Sequence, residues 1–201
     1  RGRCAGCRVR ISARYPLVEL TAAALFVAVT ARFGPAPELP AYLYLAAVSL
    51  ALALIDLDVR RLPNSIVLPS YAIGATLLLG AATVSDDWTA AVRGLIAMAV
   101  LLALYYAIAF AYRGGMGLGD VKLAGVLGLY LGWLGWSSVL VGAFAGFLLG
   151  GLVGAALLAT RRAGRRSALP FGPFMLAGAL VAVFLADPIA SWYTAQFLPT
   201  S

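Results

Sequence analysis

Residues 41–64 read AYLYLAAVSLALALIDLDVRRLPN, an apolar run that ends abruptly in Asp56 and Asp58, then Arg60, Arg61 and Pro63. As a helix, positions 41–57 would extend about 25 Å at 1.5 Å per residue, close to the roughly 30 Å of a bilayer's hydrocarbon core. Pro63 then opens a second apolar run, because a proline is tolerated at a helix start and not inside one. Working outward from this pair, similar runs occupy 17–33, 65–83, 90–112, 121–134, 137–160 and 171–190. Seven apolar segments predict an all-α, polytopic transmembrane helical bundle, with the fifth segment short for a span.

Composition agrees. Of 201 residues, 63% are hydrophobic and 11% charged, against about 25% charged in an average soluble domain. A soluble fold of this length could not hide so much apolar surface, so the bilayer is the solvent. The first fourteen residues are basic and polar, which does not read as a cleavable secretory signal. The chain holds no His, which excludes a His general base, a Ser-His dyad and His metal ligands within it. The net charge of +7 is sorted by the membrane and does not point to nucleic acid.

Cytoplasmic loops retain an excess of Lys and Arg. Five arginines (Arg1, Arg3, Arg8, Arg10, Arg14) precede the first segment, and Arg60 and Arg61 follow the second. Arg113 and Lys122 flank the loop before the fifth, and Arg161, Arg162, Arg165 and Arg166 follow the sixth. The alternate connections carry Glu38, Asp86, Asp87 and Asp187, with only Arg32 and Arg93 nearby. This alternation predicts a cytoplasmic N-terminus and an external C-terminus. It also puts Asp56, at the end of the second segment, and Asp120, before the fifth, at one depth on the cytoplasmic boundary. Glycines in the fifth segment (Gly125, Gly128, Gly132) and the sixth (Gly142, Gly146, Gly150, Gly154) predict close packing of these two faces on one another.

An ionisable group at the end of a span costs a few kcal/mol, so each asks for a partner or a purpose. Asp120 stands in Gly114-Gly-Met-Gly117-Leu-Gly119-Asp120-Val-Lys122, where Gly117 and Gly119 allow close backbone approach and the helix start favours a carboxylate. The structural alternative makes Asp120 a helix cap with Lys122 snorkelling nearby. Asp56 and Asp58 point in different directions on a helix. Asp58 is expected to pair with Arg60 or Arg61 in a solvated cluster, leaving Asp56 as the partner for Asp120. Two carboxylates brought together share a proton. The ionised member can draw a proton from water while the other donates one to a carbonyl, a dyad needing neither metal nor His.

On these residues the chain resembles the type IV prepilin leader peptidases, grouped with presenilin-like and archaeal preflagellin enzymes as GxGD aspartyl proteases. Four separated stretches carry the resemblance: Cys4-Ala-Gly-Cys7 leading to Ile11–Glu19, the Asp56–Asn64 segment, Gly117-Leu-Gly119-Asp120-Val-Lys122-Leu123, and Leu169-Pro-Phe-Gly-Pro-Phe174. The resemblance implies that Asp56 and Asp120 are catalytic, with Gly117, Gly119, Lys122, Asp58 and Pro63 supporting them. It implies cleavage of a short basic leader from prepilin or pseudopilin precursors at the cytoplasmic face of the bacterial inner membrane, with membrane lipids as the other partner. Glu19 matches a position in the same pattern, where pairing with Arg14 or a neighbouring helix is expected.

The sequence departs from the family at its start. Bifunctional members carry two CxxC pairs that bind zinc and accompany N-methylation, whereas here only Cys4 and Cys7 are present, half of a tetrahedral zinc set. Zinc therefore requires additional upstream cysteines, and the peptidase step is expected to need no cofactor. Residues 1–16 read as a remnant of the cytoplasmic CxxC segment and 17–201 as the integral membrane peptidase domain. The alternative from another class is a transporter or assembly factor using the same acids as a proton or ion site.

Overall fold

The computed structural model of the protein describes Gly6 and residues 12–111, 116–160 and 170–197. Among the described residues the chain is entirely helical: α1 Arg14–Phe33, α2 Leu39–Val59, α3 Asn64–Ser85, α4 Trp88–Ala111, α5 Leu118–Leu134, α6 Trp136–Ala159 and α7 Gly172–Phe197. The bundle expected from the seven apolar segments is present, each boundary lying within a few residues except that α7 runs on to Phe197. Six of the helices are long and apolar enough to cross a membrane; α5 is the exception. The protein is a multi-pass membrane protein.

The short fifth helix is the centre of the molecule. Its 17 residues span about 25 Å, and from Val121 to Trp133 every residue except Lys122 is buried. A helix apolar on all sides is stable only when other helices surround it, and α5 packs on α3, α4, α6 and α7. In contrast, α1 leans on α2 and leaves most of its surface free: Val29 is its one buried residue.

Glycine decides which helices meet, though not as expected. Two α5 glycines face α4, where a methyl group at Gly128 would run into the backbone of Ala97 and Met98 and one at Gly132 into Arg93 and Gly94, while Gly125 lies between Tyr71 of α3 and Leu102 of α4. Those of α6 face α7, where Gly142 and Gly146 pack against Gly178 closely enough that no side chain fits between the backbones. The expected contact of one glycine face on the other is thus replaced by two separate pairs, α4 with α5 and α6 with α7. The two stripes meet only at the margin, where the Leu131 side chain reaches Gly142. In a bilayer, such close approach supplies the dispersion contacts that a hydrophobic effect between helices cannot.

Arg93 fastens the far end of α5. Its Nε donates to the Gly132 carbonyl at 2.7 Å and its Nη2 to the Trp133 carbonyl, satisfying acceptors that a helix C-terminus otherwise leaves open. At the same end of the bundle Arg32 of α1 is paired with Asp187 of α7 at 2.8 Å.

Candidate active site

The candidate pair comes together where α2 ends and α5 and α7 begin. Helix α2 stops just after Asp56: Arg60 adopts the left-handed conformation (φ 52°, ψ 41°) and its N–H donates to the Asp56 carbonyl at 2.8 Å. The chain turns through Leu62, and Pro63 caps α3 with a carbonyl that accepts from the N–H groups of Ile66 and Val67. Pro63 thereby sets the geometry of the turn rather than contributing a reactive group.

Asp56 is 4% exposed. Against it lies Gly172, the first residue of α7, where a Cβ would come within 2.7 Å of Asp56 Oδ2. The Gly172 amide is directed toward the carboxyl. It is a first-turn N–H without an intrahelical acceptor, and the next residue, Pro173, has no N–H to offer. Oδ2 nonetheless completes no hydrogen bond with a described residue, so a buried acid faces the site with capacity to spare.

Asp120 is the third residue of α5. Its Oδ2 accepts from the Gly117 N–H at 3.2 Å, the reciprocal half of a capping box; Gly117 has no side chain to return the bond. The capping alternative is therefore partly realised, but it occupies only one carboxylate oxygen. Gly119 is held against Leu62, with a Cβ there 3.1 Å from that of Leu62. The δ-carbons of Leu62 approach Gly172 within 3.3 Å of where its Cβ would be. One leucine from the α2–α3 turn is thus wedged between the starts of α5 and α7, and the carboxyls on either side are close enough for the charge of Asp56 to act on Asp120.

Lys122 does not snorkel freely: its Nζ donates to Asn64 Oδ1 at 3.1 Å, tying α5 to the start of α3. Its carbonyl accepts from Tyr71. Asp58 is turned away from Asp56, as its position two residues on requires. Its partner differs from the expected Arg60 or Arg61: Arg14 of α1 binds it through both guanidinium nitrogens at 2.9 and 2.7 Å. A planar guanidinium matches a carboxylate with two parallel bonds. Arg14 is thereby taken from Glu19, which is exposed and lines, with Arg14 and Asp58, an open cleft of about 560 Å³ between α1 and α2. Cys4 and Cys7 lie outside the described residues. Among the described residues no group of three or more Cys, Asp or Glu is placed to hold a metal ion.

Sequence reasoning assigned no role to Gly172 or Leu62. The Pro170–Pro173 stretch was visible as a motif, but which acid it would meet depends on α7 lying beside α2.

Comparison with known proteins supplies the remaining evidence. The model of the type IV leader peptidase family matches residues 43–160, and that of the bacterial peptidase A24 N-terminal domain matches residues 1–33. A prepilin leader peptidase/N-methyltransferase of Aeromonas hydrophila is 38% identical over 201 residues, 98% of this chain and 67% of that protein. Proteins of the same description from Pseudomonas putida and Bacillus subtilis are 37% and 36% identical; the aligned regions span 65% and 75% of their lengths. No solved structure matches. Both acids, with the glycines that surround Asp120, fall inside the matched region, and the chain belongs to the type IV leader peptidase family.

Proposed function

We propose that this protein is a membrane aspartic endopeptidase that removes the leader peptide from type IV prepilin or pseudopilin precursors, with Asp56 and Asp120 as its catalytic pair. The observation that carries the assignment is convergence. Two acids far apart in sequence stand at one end of the bundle on either side of Leu62, one almost fully buried and with an oxygen that has no partner among the described residues, in a chain of the leader peptidase family. Burying a carboxyl without a partner costs free energy that packing does not return, so the arrangement is explained by what it does when substrate is present.

In the proposed reaction, the ionised member of the pair takes a proton from a water molecule as that water attacks the scissile carbonyl carbon. The protonated member gives its proton to the carbonyl oxygen, producing a neutral tetrahedral adduct. Collapse of the adduct breaks the C–N bond, the leaving nitrogen takes a proton from the pair, and the remaining hydroxyl proton returns to it. No step uses a metal, because the two carboxyls supply both the acceptor and the donor. Asp58 takes no part, being held by Arg14. Gly117, Gly119 and Lys122 act by placing Asp120, and Pro63 by shaping the turn that carries Leu62.

The distribution of basic residues supports placing the site at the cytoplasmic face of the bacterial inner membrane. That position suits a substrate whose scissile bond joins a charged leader to a segment held in lipid. The relatives are named for a methyltransferase as well. We confine the assignment to the peptidase, whose two acids lie among the described residues.

The test is cleavage of a matched prepilin in membranes by the parent, Asp56→Asn and Asp120→Asn, read as a gel shift. Cleavage by the parent alone is expected. Full cleavage by Asp120→Asn would remove Asp120 from the catalytic pair, and no cleavage by the parent would remove the peptidase assignment and favour a transport or assembly role for the acids.

A further inference from the structure

Tyr105 is buried on α4, with 2% of its surface exposed, and none of its contacts serves the chemistry described above. Its height in the bundle follows from the α4–α5 register. Arg93 meets Gly132, Ala97 meets Gly128 and Leu102 meets Gly125. Each step along α4 is matched by a step back along α5, and the same register sets Tyr105 level with Asp120. The ring also lines a small space with Ala124, which stands one turn from Asp120 on the same stripe of α5. The phenol lies within reach of the Asp120 charge.

The ring is fixed on two sides. It stacks on Phe147 of α6 with centroids 5.3 Å apart and planes at 29°, and it meets Phe171 at 6.5 Å and 41°. Phe171 immediately precedes Gly172, the residue against Asp56. Yet the hydroxyl makes no hydrogen bond to a described residue, whereas Tyr42, Tyr44 and Tyr71 each find one; Tyr130 shares the lack, but its oxygen is fully enclosed. A tyrosine hydroxyl is a donor and a double acceptor, and leaving it unmade in a packed interior is costly. Neither this oxygen nor Oδ1 of Asp120 is among the fully enclosed orphan atoms, so both open onto space that a solvent molecule can reach. Asp120 Oδ2 is occupied by Gly117, which leaves Oδ1 for a second ligand.

We propose that the Tyr105 hydroxyl holds the hydrolytic water against Oδ1 of Asp120, making Tyr105 a third catalytic residue. A bound water needs two to four polar partners; the two acids of the pair offer it one oxygen each, and the hydroxyl adds a neutral third that stays in place as the acids exchange protons. The hydroxyl directs a lone pair of the water away from the proton that is to be lost. The aromatic clamp keeps the phenol in place when the water is consumed. This inference rests on the aspartic peptidase reading above.

The experiment is Tyr105→Phe, which keeps the ring and its stacking and removes only the oxygen, assayed on a matched prepilin beside Tyr106→Phe and Asp120→Asn. Tyr106 is the exposed neighbour. Tyr105→Phe is expected to lower kcat by about tenfold or more, the worth of one hydrogen bond in the transition state, with KM and Tm unchanged and Tyr106→Phe equal to the parent. Parent-like kcat in Tyr105→Phe overturns the proposal. A rise in KM alone overturns it in favour of a contact with the peptide, and a fall in Tm overturns it in favour of a structural partner for the hydroxyl. Should Asp120→Asn cleave normally, the aspartic pair on which this inference rests fails, whatever Tyr105→Phe does.

Discussion

Gly172→Ala isolates the contact between α7 and the buried acid. The added methyl would lie 2.7 Å from Asp56 Oδ2 and 3.3 Å from both δ-carbons of Leu62. Ordinary contact begins near 3.4 Å, so the carboxyl oxygen must retreat by about 0.7 Å. It can do so cheaply, because no hydrogen bond to a described residue holds it; the helices have no need to part. Overpacking of this kind costs about 1–3 kcal/mol when backbone has to move, and here the cost should fall at the low end. Catalysis is less forgiving, since displacing a reacting group by about 1 Å lowers the rate by about 100-fold. We expect kcat for prepilin cleavage to fall about 10- to 100-fold while Tm in the same detergent or bilayer stays close to the parent value. Initial rates from the gel shift, with thermal unfolding measured on the same preparation, decide it. A Gly172→Ala protein that cleaves within about twofold of the parent rate would refute the placement of Gly172 against the working acid. A large fall in Tm would refute the claim that the strain is absorbed by the side chain.

The remaining expectations use the same assay. Asp58→Asn should retain most activity, because Asp58 faces away from the pair and its exposed bridge to Arg14 is worth about 1 kcal/mol or less; a loss as deep as that of Asp56→Asn would sink the division of roles between the two. Arg93→Ala strips two hydrogen bonds from the last carbonyls of α5 and should lower stability by about 1–3 kcal/mol, seen as a reduced Tm; an unchanged Tm would show that other groups cap that end. Gly128→Ala would put a methyl group into the backbone of Ala97 and should reduce folded yield far more than Gly172→Ala does. Equal yields for the two variants would contradict the α4–α5 packing.

What the sequence made legible was one-dimensional. Apolar runs gave the helices, and the placement of Arg and Lys gave Asp56 and Asp120 a common depth before any contact was known. Chain spacing also separated Asp56 from Asp58, since residues two apart diverge on a helix. What depended on which helices are neighbours was not legible. The glycines of α5 and α6 announce close packing without naming the partner, and each stripe chose a helix other than the one expected. Asp58 found Arg14 rather than its sequence neighbours because α1 lies along α2 and brings a guanidinium across. Gly172, Leu62 and Tyr105 were missed for the same reason: none is ionised at neutral pH, and each matters only through what stands opposite.

On the proposed assignment, that geometry explains how the shortest helix can carry a reactive group. A carboxyl in a bilayer protein can be aimed only if its helix cannot slide or rotate, and lipid offers little resistance to either. Helix α5 is removed from lipid by neighbours on all sides, keyed into α4 through Gly128 and Gly132, and held by Arg93 at the far end and by Lys122 to Asn64 at the near one. Its length can be less than a span because its sides meet protein, not hydrocarbon. The other acid rides on α2, whose end is fixed by the Arg60 turn and by Leu62 wedged against Gly119 and Gly172. Both carboxyls are therefore referred to the same leucine, and their separation is set by that packing.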